Sequence, residues 1–253
     1  MAWFEHRNSR IYYEDEGSGE PLLLLPGWSG SIGDLLPVRQ ALAPHYGVIE
    51  ADPPGSGQSG PHPREYSASY YEDDSYAFLA LLEGLDASPA HLVGFSDGGE
   101  YALLMGELKP AAVRSIVTWG AAGKLAFAPE FLAEFGQIID DPSPALREFS
   151  GYLKGTYGEE NARTMAQTAA KAWGTIIEAG GDLSRKRAGE ITCPALLITG
   201  EHDSIFAPPG LVSEMAAAMQ HAQFIEMKDA GHLIHHENPD WLVGTIVGWL
   251  SQH

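Results

Sequence analysis

The chain has 253 residues, enough for one large α/β domain or for such a domain carrying an insertion. Its 15 Lys+Arg against 34 Asp+Glu give a net charge of −19, a field that repels phosphate backbones and anionic lipid, so a nucleic-acid partner is not expected. The single cysteine, Cys193, excludes an intramolecular disulfide framework and a multi-cysteine zinc site, and no apolar run of about 18 residues predicts a membrane span.

The first residues, Met1-Ala2-Trp3-Phe4-Glu5-His6, have neither a basic start nor an apolar stretch, so no secretory signal is read and the cytoplasm is the expected location. Residues 3–6 and 11–14 predict a hairpin around an Asn8-Ser9 turn. Residues 21–25 are an apolar run bounded by turn residues, as suits a strand buried on both faces. The run ends in the two-glycine loop Pro26-Gly27-Trp28-Ser29-Gly30. A helix over 35–42 and a strand over 47–51 follow, then the glycine-rich turn Asp52-Pro53-Pro54-Gly55-Ser56-Gly57. That turn lacks the Gly-Lys-[Ser/Thr] ending of a phosphate loop and reads as a structural turn beside the site. Tyr71, Phe78, Leu81 and Leu82 are spaced as one buried stripe of a helix over 68–84.

The alternation continues with strands over 90–94, 113–118, 195–199 and 223–227 and helices over 99–108, 210–219 and 239–250. Strands alternating with helices predict an α/β fold with a largely parallel sheet covered on both faces. Residues 124–188 break the pattern, with helical pieces at 129–139, 145–154 and 159–178 and no strand. They are read as a helical lid inserted after the sixth strand, between core segments 1–123 and 189–253.

Gly94-Phe95-Ser96-Asp97-Gly98-Gly99 follows a predicted strand and opens a helix, the context of a nucleophile elbow. Such a turn lifts Ser96 out of the sheet and sets the Asp97 N–H at a helix N-terminus, where it can stabilise an oxyanion. A serine needs a base and an orienting acid, in the chain order Ser, acid, His. Asp203, just past the strand over 195–199, is the first choice for the acid and Glu201 the second. His232, on the loop after the strand over 223–227, is the expected base. The second oxyanion donor is expected on the loop after residue 25, at the Trp28 amide, with Ser29 as alternative. His232, His235 and His236 also have helical ligand spacing for zinc, but His232 is better used as the base and no second cluster completes a site. Cys193 has no electropositive surroundings in the sequence and reads as a buried, inert thiol.

With these residues in place, the sequence resembles the α/β-hydrolase superfamily over essentially its whole length. The resemblance rests on Leu25-Pro26-Gly27-Trp28, on residues 52–59, on the elbow at 94–99, on Gly200-Glu201-His202-Asp203 and on Ala230-Gly231-His232. Within the superfamily it is most similar to the biphenyl hydrolase-like (valacyclovir hydrolase) group. That narrower likeness rests on Ser96-Asp97-Gly98-Gly99, Thr118-Trp119-Gly120-Ala121, Cys193-Pro194-Ala195-Leu196 and the stretch from Trp173 to Ile177. The resemblance implies an eight-stranded α/β-hydrolase fold and a serine hydrolase with Ser96, Asp203 and His232 as triad and Trp28 and Asp97 as oxyanion donors. It further implies small-molecule esters of α-amino acids as substrates, with the ammonium held by Asp97, and no metal or organic cofactor. The alternative role for Asp97 is to cap the elbow helix. Trp119, Trp173, Phe206 and Leu233 are candidate pocket residues by position, and Phe127, Phe131 and Phe135 are candidate lid walls. A carbon–carbon bond hydrolase, a general carboxylesterase or a ligand-binding receptor of the same fold remain open at this point.

Overall fold

In the computed structural model, which describes residues 2–253, the chain forms one eight-stranded sheet. In chain order its strands are β1 (Ala2–His6), β2 (Ser9–Gly17), β3 (Pro21–Leu25), β4 (Gly47–Ala51), β5 (Ala90–Phe95), β6 (Val113–Trp119), β7 (Ala195–Gly200) and β8 (Ala222–Met227). They lie in the order β1-β2-β4-β3-β5-β6-β7-β8. The β1–β2 and β2–β4 pairs are antiparallel and the rest are parallel. The hairpin turn is Arg7-Asn8, one residue earlier than the sequence suggests, because Ser9 already pairs with His6 and Arg7 takes the positive φ of 50°.

Helices α1 (Leu36–Leu42) and α9 (Pro239–Leu250) cover one face; α2 (Tyr70–Gly84) and α3 (Asp97–Leu108) cover the other. The strand period of two sorts β3 between them. Leu22 and Leu24 join the core under α1 and α9, whereas Leu23 and Leu25 join the core under α2 and α3. Both sets are fully buried, which is why the sequence shows an unbroken apolar run. The predicted stripe of α2 (Tyr71, Phe78, Leu81 and Leu82) is buried as expected.

Between β6 and β7 the chain runs through α4 (Pro129–Gly136), α5 (Arg147–Tyr157) and α6 (Glu159–Glu178), with α4 and α5 packed on α6. A helix over Pro209–Ala218 (α7) follows β7, and a one-turn helix at Ile234–Glu237 (α8) follows β8. Among the described residues, no helix is long and apolar enough to cross a membrane.

Candidate active site

The site lies where β5, β7 and β8 end. Ser96 sits between β5 and α3 at φ 52° and ψ −119°, a strained setting for a residue with a Cβ. Its neighbours explain how the turn closes. A Cβ on Gly94 would stand 2.2 Å from the Gly98 carbonyl oxygen, and one on Gly98 would stand 2.3 Å from that of Leu25. Only glycine permits both approaches. Helix α3 therefore begins at Asp97, two residues before the sequence pattern suggests, because Gly98 and Gly99 are packed into its first turn.

The three residues predicted from separate strands come together. His232 Nε2 is 3.1 Å from Ser96 Oγ, and His232 Nδ1 is 2.6 Å from Asp203 Oδ2. Asp203 Oδ1 also accepts the N–H groups of Phe206 and Ala207. Burial pushes the Asp203 carboxyl up, but the hydrogen bond and charge of His232, with those two N–H donors, bring it below the ordinary carboxylate value. Glu201, the second choice for the acid, is exposed and pairs with Lys228 instead.

The other histidines are also resolved. His235 accepts the Trp119 indole N–H at Nδ1 (3.2 Å) and packs on Phe95. Burial, then the neighbouring His236 and His232, lower its pKa to about 3, so it stays neutral. With His232 engaged on both ring nitrogens, the three histidines do not form a common ligand set. Cys193 is buried, and burial raises its thiol to about 11, in keeping with an inert side chain.

Above Ser96 lies a cavity of about 430 Å3 with a strongly aromatic wall. Trp28 forms its centre, edge-on to Phe135, Phe149 and Trp173 at ring separations of 5.1, 6.0 and 5.8 Å. Phe206 lies over His232 at 4.5 Å, so the residue whose N–H steadies Asp203 also covers the base. Leu233 stands at the cavity's edge, 45% exposed. The structure places Trp173, Phe206, Leu233 and Asp97 in the lining of this cavity, together with Phe127 and Phe135. Trp119 is not among them. Its ring is fully buried on the α1/α9 side of the sheet, stacked on Phe95, because the last β6 side chain points away from the cavity. Phe131 stands behind the wall, against Phe127 and Phe206.

The floor holds residues that sequence reasoning missed. Asp97 is buried, and its carboxylate accepts both the Tyr70 hydroxyl (2.9 Å) and the Tyr71 hydroxyl (2.8 Å). The Trp173 indole N–H donates to Tyr70 in turn, tying α6 to the floor. Burial raises Asp97 to about 6 against the lowering effect of the two phenols. Glu100, one helical turn on, also lines the cavity; its carboxylate accepts the N–H groups of Ala122 and Gly123, and burial raises it to about 7. Buried Tyr70 and Tyr71 carried a readable signal, since a phenol on a buried stripe needs a polar partner. Asp52 closes the turn beside the site, accepting the N–H groups of Ile32 and Gln58.

A mostly parallel sheet with a strained serine at a strand-to-helix turn, and an acid and a histidine on the loops after its last two strands, defines a nucleophile-elbow α/β protein. The chain belongs to the alpha/beta hydrolase family, whose model matches residues 22–245, and it is a hydrolase on that ground. It is 29% identical over 199 residues to serine hydrolase BPHL of Mus musculus, covering 77% of this chain and 67% of that protein. It is 28% identical to the pimeloyl-[acyl-carrier protein] methyl ester esterase of Chromobacterium violaceum, over 88% of this chain and 91% of the relative. In structure it resembles the enol-lactonase from Burkholderia xenovorans LB400, with a TM-score of 0.77 at 22% identity, covering 99% of this chain and 100% of that one.

Proposed function

We propose that this chain is a serine hydrolase of carboxylic esters, and that its preferred substrates are small esters of α-amino acids whose ammonium is held by Asp97. The observation that carries the hydrolytic part is the continuous hydrogen-bonded line Ser96–His232–Asp203, whose Ser96 and His232 line the cavity. His232 Nε2 takes the Ser96 proton as Oγ attacks the ester carbonyl. The N–H groups of Trp28 and Asp97 receive the oxyanion, and Asp203 holds and stabilises the imidazolium through Nδ1–H. The imidazolium then protonates the leaving alcohol. Water, giving a proton to His232, attacks the acyl-enzyme and releases the acid and Ser96.

The amino-ester part is supported by Asp97 itself. Asp97 lines the cavity one residue from the nucleophile, and its buried carboxylate is hydrogen-bonded to two neutral phenols. The two phenols use one acceptor site on each oxygen, which leaves capacity for an ammonium. A second reading, an ester with an uncharged apolar acyl group, is favoured by the aromatic wall.

One experiment separates the two: hydrolysis of a phenylalanine ester with a free amine against its N-acetyl counterpart, by the natural chain and by Asp97→Asn. A charge-assisted hydrogen bond of about 1.5–3 kcal/mol predicts a free-amine preference of roughly 10–150-fold in kcat/KM, lost in Asp97→Asn. Equal rates on the two esters, unchanged by the substitution, would discard the ammonium role and leave the apolar ester.

A further inference from the structure

Helix α5 touches the loop that carries Trp28 through Phe149, which packs on the Trp28 ring, and through two hydroxyls that meet on one carbonyl. Tyr157 Oη donates to the Ser29 carbonyl at 2.6 Å, and Tyr152 Oη donates to the same oxygen at 3.1 Å. Tyr157 Oη is held in turn by the Gly57 N–H at 3.1 Å. Ser29 adopts φ 59°, a left-handed setting that a serine enters only at a cost. The turn it belongs to is closed by the Gly30 N–H donating to the Gly27 carbonyl at 2.9 Å. From the other side, Asp52 holds Ile32 N–H at 2.6 Å.

These bonds form one line. The tyrosine hydroxyls polarise the Ser29–Gly30 peptide, whose N–H polarises the Gly27–Trp28 peptide, whose N–H is that of Trp28. A carbonyl that accepts a hydrogen bond makes its own amide N–H a better donor, and chains of such bonds reinforce one another. We infer that Tyr157 and Tyr152 are positioning residues for catalysis: through two peptide units they orient and strengthen the Trp28 N–H as an oxyanion donor. Helix α5 is then part of the catalytic apparatus as well as a wall, since moving it away takes both hydroxyls off Ser29. The inference rests on the reading of Ser96 as nucleophile and Trp28 as oxyanion donor.

The test compares the full-length chain with Tyr157→Phe, Tyr152→Phe and the double variant. Tyr76→Phe, an exposed tyrosine on the far side of α2, is the control, and Ser96→Ala is run alongside. Four quantities are read: kcat and KM on a simple aryl ester, and the inhibition constants of an aryl trifluoromethyl ketone and of its methyl-ketone counterpart. The trifluoromethyl ketone adds to a serine as a tetrahedral oxyanion. The matching methyl ketone reports ground-state binding alone. Losing a whole oxyanion donor costs about 100–1000-fold in kcat. A donor left in place but loosened predicts about tenfold for Tyr157→Phe and about threefold for the longer Tyr152 contact. The trifluoromethyl ketone should weaken by the same factors, with KM and methyl-ketone affinity within about twofold. Tyr152→Phe, whose ring is partly exposed, keeps the test sound if Tyr157→Phe folds poorly.

If kcat is untouched, or falls only together with KM and methyl-ketone affinity, the tyrosines are structural and the inference is overturned. Tight trifluoromethyl ketone binding that is equal in all variants overturns this inference alone. Failure of the natural chain to form that adduct, with turnover retained in Ser96→Ala, removes the nucleophile reading and this inference with it.

Discussion

Two aspartates, one after β7 and one after β5, invite comparison. Both are nearly inaccessible, Asp203 at 3% and Asp97 at 6% exposed, and both accept hydrogen bonds on each oxygen. Yet their carboxyls move in opposite directions, Asp203 below its ordinary value and Asp97 up to about 6. The difference lies in the partners. Asp203 faces a histidine that can carry a positive charge, together with two backbone N–H groups. Asp97 faces two neutral phenols, and Arg64, whose charge also lowers it, makes its ion pair with Asp74 at 2.7 Å. Burial without a counter-charge disfavours the ionised form. The Asp203 carboxylate is therefore paired with a group that can carry the opposite charge, while the Asp97 carboxylate is bonded to neutral donors.

The comparison breaks most sharply at the nucleophile. Ser96→Ala should lower kcat by at least about 10⁴-fold and abolish the burst of acyl-enzyme in rapid-quench kinetics. Turnover near that of the natural chain would falsify the assignment. Next comes Asp203→Asn, which keeps the shape but presents the wrong tautomer to His232; about 10³–10⁴-fold in kcat is expected, with KM little changed. A loss of less than tenfold would make Asp203 a loop clamp through Phe206 and Ala207.

On the floor the effects are smaller and concern selectivity. The carboxylate pairs with an ammonium only when ionised, so, while the substrate amine is still protonated, the free-amine preference should be about half lost at pH 6 and fade further as pH falls. Tyr71→Phe removes one of the two donors that favour the ionised form, alongside Tyr70 and against the nearby charge of Asp74. The acid limb of the preference should then move to higher pH, while the rate on the N-acetyl ester stays within about threefold. A limb that does not move would detach the phenols from the charge state of Asp97. The smallest effect is a ligand shift. In Ser96→Ala, phenylalaninamide should raise the melting temperature more at pH 7.5 than at pH 5, and Asp97→Asn in the same background should remove the difference.

Much of the site was legible in the chain because its parts are local. Ser96 is announced by the glycines its turn requires, and Asp203 and His232 each follow an apolar run that ends in turn residues. The floor was not legible in the same way. Asp97 could be seen beside the nucleophile, but nothing near it in sequence tells that Tyr70 and Tyr71, 27 and 26 residues earlier, would close on it. Trp119 illustrates the opposite failure. Its place at a strand end suggested the pocket, but strand alternation sent it to the other face.

By itself, then, the sequence determined the order of strands and helices, the elbow and the residues of the relay, because glycine sterics, apolar periodicity and strand-end position act over a few residues. The tertiary structure alone decided which carboxylates are compensated, which aromatic rings meet over the cavity, and that α5 reaches the Ser29 carbonyl 123 and 128 residues away. Those outcomes depend on burial and on distances between segments remote in the chain. Burial sets the cost of a charge, and only the packed fold sets the burial.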